Sequence, residues 1–326
     1  MTPSEHLDAL LARQEPLLAL APMQDVTDLG FWRLMTRYGG ADVYYTEYFR
    51  VHPESHLDKP ILASLIHNPT GKPAIAQMIG NDIPSLVRSA KELQQYDIAA
   101  VDLNLGCPAP IVYKKCAGGG LLRDLPRIEG ILGALREAIS IKFTVKTRLG
   151  FDDTGTLDAL VPLFAKHGVD LVTIHGRTVL QMYRDGVRYD LIGAATAQLP
   201  CPVLANGNIA THLDAAAVLQ QTGVRGLMLG RGAIANPWLF EQIRQQVRGE
   251  PICQPNADDV LTYVEALYET VVMPNTREID QVNRVKKHLS FFGPGLAEPE
   301  AFLHDMRRCT TRQGLMAVCA RFCQPP

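Results

Sequence analysis

A chain of 326 residues, 47% apolar and 20% charged with mean hydropathy near zero, has the composition of an ordinary folded protein rather than of a disordered or collagen-like one. No stretch reaches the uninterrupted apolar length of a membrane helix. A net charge of −2 excludes a uniformly basic nucleic-acid binder.

The segment Met1–Gln14 carries Glu5, Asp8 and one cation, Arg13. It lacks the basic start and apolar core of a signal peptide, so it reads as a short helix of a cytoplasmic protein. Eight short apolar runs follow: Leu17–Leu20, Val43–Thr46, Ala74–Met78, Ala100–Asn104, Lys142–Lys146, Leu171–Ile174, Pro202–Ala205 and Leu227–Gly230. Between them lie stretches with apolar residues at helical spacing, clearest at Ile83–Tyr96, Leu125–Ala138, Leu157–His167 and Leu213–Thr222. Asp82 and Thr211 are placed to cap two of these helices. Eight buried strands alternating with helices predict an α/β fold, a (β/α)8 barrel of the TIM type. An open doubly wound sheet competes, but no GxGxxG follows the first run. Past Gly249-Glu250-Pro251 the pattern turns helical, at about 257–272 and 277–292. Two domains are therefore expected: a barrel over 1–250 and a small all-helical unit over 251–326.

Polar residues punctuate the strand ends. They are Pro22-Met23, Glu47, Gln77, Asn104 to Cys107, Lys146 and Arg148, His175 to Arg177, Asn206 to Asn208, and Gly230-Arg231-Gly232. In a barrel the C-terminal strand ends share one mouth, where active sites lie. Asn206-Gly207-Asn208 and Gly230-Arg231-Gly232 follow strands seven and eight, the usual phosphate corner of this fold, and Arg231 adds a charged donor. Plain turn chemistry is the alternative for each loop alone. Gln77, Lys146 and His175 offer an amide, a cation and an imidazole, a set that suits a planar polar ligand such as a flavin. Two long loops, Leu105–Asp124 and Gly176–Tyr189, flank this mouth as lids or substrate contacts.

Cys107 sits on a Gly-Cys-Pro turn after the fourth strand. Without CxxC or His-x-His it is no metal ligand; it is a nucleophile or a general acid, and the lack of an evident histidine base favours the acid. The seven cysteines (107, 116, 201, 253, 309, 319 and 323) are odd in number and irregularly spaced, which argues for free thiols. No metal is expected. From Val282 onward Arg284, Lys286, Lys287, Arg307, Arg308, Arg312 and Arg321 form a basic patch. It can hold an RNA backbone or form a solvated helix face.

Taken in order, Ala21-Pro22-Met23, Val26-Thr27-Asp28, Thr46-Glu47, Asn104-Leu105-Gly106-Cys107-Pro108, Val145 to Gly150, His175-Gly176-Arg177-Thr178, Asn206-Gly207 and Gly230-Arg231-Gly232 closely resemble the tRNA-dihydrouridine synthases. Arg284 to Leu289 is similar to a segment of that family's helical domain. The resemblance implies an enzyme that uses FMN and NADPH to reduce the C5=C6 bond of a D-loop uridine in tRNA. It also implies roles. Hydride would reach C6 from the reduced flavin, and Cys107 would deliver the proton to C5. Asn104, Arg148 and Tyr183 would hold the flipped-out uracil, and Lys114, beside Lys115, would meet the RNA backbone. Pro22, Met23, Gln77, Lys146 and His175 would line the FMN, with Asn206, Asn208, Gly230 and Arg231 near its phosphate. The partner is tRNA; no membrane or protein partner is implied, and a monomer is expected. The target uridine stays open. Three other readings remain: a dihydroorotate-dehydrogenase-like enzyme acting on a free pyrimidine, an RNA-binding protein with a vestigial flavin site, and a phosphate-sugar isomerase on the same fold.

Overall fold

The computed structural model describes residues 1–184, 186–273, 275–292, 296 and 298–322. Its strands are β1 (Leu17–Leu20), β2 (Val43–Tyr45), β3 (Phe49–Arg50), β4 (Ala74–Ile79), β5 (Ala100–Leu105), β6 (Lys142–Arg148), β7 (Leu171–His175), β8 (Val203–Asn206) and β9 (Gly226–Leu229). Pairing is parallel throughout. It runs from β1 through β9, β8, β7, β6 and β5 to β4, and β2 joins β4 back to β1, closing an eight-stranded barrel. The two-residue β3 adds to β4, Phe49 opposite Met78, and has no counterpart among the eight expected runs.

Helices α1 (Pro3–Ala12), α2 (Leu29–Met35), α3 (Lys59–Ile66), α4 (Ile83–Leu93), α5 (Pro110–Tyr113), α6 (Leu125–Ala138), α7 (Thr156–Lys166), α8 (Tyr189–Gln198), α9 (His212–Thr222), α10 (Arg231–Ala235) and α11 (Leu239–Arg248) complete this part of the chain. Asp82 caps α4 and Thr211 caps α9 through their side-chain oxygens, as the sequence predicts. Alternation along the strands sorts two cores. One set (Leu18, Leu20, Ala76, Val101, Leu103, Val145, Ile174, Ala205, Leu229) packs outward under the helices. The other (Leu17, Ala19, Tyr45, Ile75, Ala100, Leu171, Leu204, Met228) fills the barrel axis together with Leu7 and Leu10 of α1. Arg225 fixes α1 there by donating to the carbonyls of Leu10, Leu11, Arg13 and Glu15.

The alternation also builds the site. Two residues beyond Ile75, Ala100, Leu171 and Leu204 stand Gln77, Asp102, Thr173 and Asn206. Asn104 and His175 follow one step further up their strands, beside Thr144, Lys146 and Arg148 on β6. The axis-facing residues thus change from apolar to polar toward the C-terminal ends of the strands.

Four helices follow: α12 (Ala257–Val271), α13 (Glu278–Leu289), α14 (Pro299–Arg308) and α15 (Arg312–Phe322). Their core is continuous with the barrel's outer one, since Tyr263, Val264 and Leu267 share a cluster with Phe31 and Trp32. Gly30 permits the approach of α2 to α12; a Cβ there would lie 2.4 Å from the Thr270 carbonyl oxygen. The expected basic patch is largely engaged by carboxylates. Arg284 pairs with Asp28, Lys287 with Asp25, Arg312 with Glu269 and Arg321 with Asp305. Buried His288 bonds the Val26 carbonyl at 2.9 Å and stacks on Phe31. The reason is the acidic loop after β1: its Asp25 and Asp28 face α13, so cations that look solvent-bound in sequence serve as a latch. Cys309 donates to the Asp305 carbonyl and Cys319 is buried, while Cys323 lies outside the described residues.

Candidate active site at the barrel mouth

Three networks of side chains occupy the mouth. In the first, Asn206 at the end of β8 donates to the Met228 carbonyl at 2.8 Å, which fixes its amide orientation. Its Oδ1 then accepts from Lys146 Nζ at 3.3 Å and from His175 Nδ1 at 2.9 Å. Because that oxygen only accepts, Nδ1 carries the imidazole proton. Nε2 is left facing Arg177 Nη1 at 3.5 Å. Burial, with the charges of Arg148 and Lys146, holds His175 well below the ordinary imidazole value, so the ring is neutral. Burial also lowers the Lys146 ammonium to about 8, helped by Arg148 and opposed by Asp102.

The lowered Lys146 value makes folding stability depend on pH. The unfolded chain keeps this proton up to about 10.5, whereas the folded chain sheds it near 8. Between those values the unfolded state binds more protons, so folding stability rises with pH. Relative to Lys146→Met, the wild type should gain roughly 1–2 kcal/mol of unfolding free energy from pH 8 to 10, after discount for partial exposure. Chemical denaturation of both proteins across that window checks it; a constant difference would show that Lys146 keeps its proton.

The second network runs through β4 and β5. Asp102, fully buried, accepts from Thr144 Oγ1 at 2.6 Å and from Gln77 Nε2 at 2.7 Å. Gln77 Oε1 accepts from Asn104 Nδ2 at 2.8 Å, and Asn104 Oδ1 accepts from the N–H groups of Gly106 and Cys107, both at 2.9 Å. The Cys107 carbonyl accepts from Gly119 N–H at 3.2 Å. Gly118 at φ +54 is needed here, as a Cβ would press on Ile79, Val112 and Cys107. The half-buried thiol adjoins an apolar cluster of Tyr48, Ile79 and Val112. Among the described residues no histidine is hydrogen-bonded to its sulfur. Tyr48, whose phenol is raised by burial and by neighbouring Cys107, is a site residue that sequence reasoning missed.

The third network joins the two long loops. Arg148, 2% exposed, donates from Nε to the Gly106 carbonyl at 2.9 Å. Its Nη1 donates to the carbonyls of Thr178 at 2.8 Å and Met182 at 2.7 Å. The next residue, Tyr183, is exposed, with the guanidinium carbons of Arg148 and Arg231 at 5.6 and 4.8 Å from its ring centroid. Arg231 in turn donates to Asn208 Oδ1 at 3.0 Å. Asn208 adopts φ +46, and among the described residues the N–H groups of Asn208, Arg231 and Gly232 meet no acceptor.

The β1 loop closes the ring of site residues. Met23 N–H bonds Thr27 Oγ1, and a Cβ on Gly230 would lie 3.2 Å from the Met23 sulfur, so Met23 faces the β9 loop beside Pro22. Glu47 holds that loop by accepting from Asp25 N–H; burial pushes its carboxyl up to about 7. Lys114 stands apart, exposed on the Cys107 loop, its ammonium without a partner among the described residues.

The donors left over suit a flavin. Lys146 spends one N–H on Asn206 and keeps two, and the corner of Asn208, Arg231 and Gly232 offers unpaired donors to a phosphate. A barrel with these groups and a thiol at one mouth defines a class, that of enzymes holding a phosphate-bearing planar cofactor at the strand ends. The family model for dihydrouridine synthases matches residues 19–324. A probable tRNA-dihydrouridine synthase of Rickettsia prowazekii is 32% identical over 296 residues, 89% of this chain and 88% of that one. The tRNA-dihydrouridine synthase B of Pseudomonas putida is 36% identical over 247 residues, 74% and 72% of the two chains. Among solved structures, histamine dehydrogenase from Rhizobium sp. 4-9 superposes with a TM-score of 0.54 at 14% identity, over 80% of this chain and 51% of that one, a likeness of fold. The chain belongs to the dihydrouridine synthase family. It is a flavin-dependent oxidoreductase that forms dihydrouridine in tRNA. No helix among the described residues is long and apolar enough to cross a membrane.

Proposed function

We propose that the flavin is FMN, that NADPH reduces it, and that Cys107 supplies the proton that completes reduction of a D-loop uridine. The observation that carries this reading is the convergence at one mouth of Cys107, the Lys146–Asn206–His175 network and the unpaired donors beside Arg231. FMN when bound supplies hydride to C6 of the uracil. The rest falls to the protein. Lys146 offers positive charge to the electron-rich reduced ring, oriented by Asn206, and neutral His175 offers a hydrogen-bonding edge. Asn206 therefore acts by holding Lys146 and His175. Gln77, Pro22 and Met23 line the ring, while Asn208, Gly230 and Arg231 receive the phosphate. Asn104, Arg148 and Tyr183 hold the uracil after it leaves the stack. The Cys107 S–H bond breaks as its proton goes to C5, and solvent restores the thiol.

Residues 251–326 form the tRNA-binding domain in this reading. Exposed Lys114 and the tail cations Arg307 and Arg308, which have no carboxylate partner among the described residues, meet the phosphates. The enzyme works as a monomer in the cytoplasm, where its substrate is. Anaerobic reoxidation tests the reading: protein reduced with NADPH is mixed with tRNA lacking dihydrouridine while flavin absorption is followed. Rapid reoxidation by that tRNA, and not by free pyrimidines or modified tRNA, is the expected result. Reoxidation by a small pyrimidine alone would move the reading to a metabolic enzyme.

A further inference from the structure

Asp102 belongs to none of the groups assigned to cofactor or substrate. It lies beneath them, with relative exposure of 0%, and accepts from Thr144 and Gln77. A carboxylate can only accept, so it dictates which end of the Gln77 amide turns toward it. The nitrogen faces Asp102, and the oxygen is left for Asn104. Asn104 must then point its nitrogen at Gln77 and its oxygen at the N–H groups of Gly106 and Cys107. Amide oxygen and nitrogen are nearly equal in size, so shape alone does not choose between the two orientations; the hydrogen-bond network does. The relay is fixed at both ends: Asp102 can only accept, and the backbone N–H groups of Gly106 and Cys107 can only donate.

We propose that Asp102 is a positioning residue that sets the polarity of the Gln77–Asn104 relay, and through it both the turn carrying Cys107 and the face that Asn104 turns to the substrate. The second half rests on the uracil-binding role proposed above for Asn104. The Asn104 oxygen already accepts two N–H groups, so what remains for a ligand is its second N–H. A donor there matches a carbonyl of uracil, and it opposes the amino group that cytosine carries in place of O4. Lys146 is the nearby cation that favours the ionised carboxylate, while burial pushes the carboxyl up to about 6.

An inversion of polarity tests this. Asp102→Asn removes the fixed acceptor at one end: wherever the new amide turns its nitrogen to Gln77, Gln77 and then Asn104 reverse against the Gly106 and Cys107 donors. Asn104 would then present N–H groups to the N–H groups of Gly106 and Cys107, and the turn would lose its cap. The double variant, Asp102→Asn with Gln77→Glu, moves the carboxylate one residue along the relay. The carboxylate then accepts from the amides on both sides of it, so Asn104 regains its original orientation at the same net charge.

The readout is the rate of Cys107 alkylation by iodoacetamide, resolved by peptide mass spectrometry with exposed Cys116 of the same loop as internal reference. Asp102→Asn should raise the Cys107 rate roughly tenfold over Cys116 through loss of the cap. The double variant should return to within about threefold of wild type. An unchanged single variant, or a double variant no slower than the single, overturns the proposal. If Asp102→Asn alone does not fold, a folded double variant with the wild-type rate supports it, and a double variant that also fails overturns it. Alkylation requires neither tRNA nor turnover, so this outcome is separate from the success of the reoxidation experiment.

Discussion

Replacing Cys107 by alanine is expected to leave flavin reduction by NADPH at its wild-type rate and to slow reoxidation by tRNA by about 10²–10⁴-fold. The size follows from removing the proposed general acid while every group proposed to bind flavin stays in place. Cys107 touches the relay only through its backbone N–H, which alanine keeps, so the turn should survive. The sulfur side meets Tyr48, Ile79 and Val112, and the small void left there should cost about 1 kcal/mol of stability at most. Cys107→Ser should be almost as slow, because a hydroxyl is a much weaker acid than a thiol at neutral pH. Stopped-flow absorption separates the two half-reactions. Equal slowing of both would show that Cys107 supports the cofactor, and an unaffected tRNA step would remove it from the chemistry.

The barrel was legible because its signal is periodic. Eight short apolar runs separated by helical stretches admit few topologies, and the strand ends carry their polar residues at one parity. That parity also held information left unused. Asp102 stands two residues before Asn104 and two after Ala100, and an axis-facing position was implied for all three. Asp102 drew no attention because a single acidic residue within an apolar run has no motif; only its partners Thr144 and Gln77, on neighbouring strands, give it meaning. Tyr48 was hidden for a similar reason. It lies in a segment without regular structure that reaches Cys107 through tertiary packing.

Composition misled where pairing depends on distant residues. Arg284 and Lys287 read as part of a patch that holds an RNA backbone or faces solvent, yet their partners Asp28 and Asp25 are 256 and 262 residues away. The consequence is mechanical. The same loop holds Pro22 and Met23 at the proposed flavin and is fastened by Glu47 on one side and by α13 on the other. A tail read as a separate module by its helical periodicity is thus joined to the catalytic mouth through a short, charged loop.

Arg148→Met is expected to lower kcat/KM for tRNA by more than about 10²-fold, with KM rising, because it releases two loops at once. A side chain that only touched uracil would have its donors free. Here Nε and Nη1 are spent on three carbonyls, Gly106 beside Cys107 and Thr178 and Met182 before Tyr183. Met182 holds φ +52, a conformation unusual for a side chain of its size, and Arg148 is what bonds its carbonyl. Lysine cannot replace this fork, since one ammonium does not span carbonyls on two loops, so Arg148→Lys should fall nearly as far. The loops are surface segments and the barrel core lies elsewhere, so local opening should precede global unfolding. Limited proteolysis of the substrate-free protein should therefore cut within 176–189 at least about tenfold faster in the variant. Unchanged proteolysis with a raised KM would assign Arg148 to the base alone; faster cutting together with lost turnover makes it the staple that brings Tyr183 and Cys107 to the same uridine.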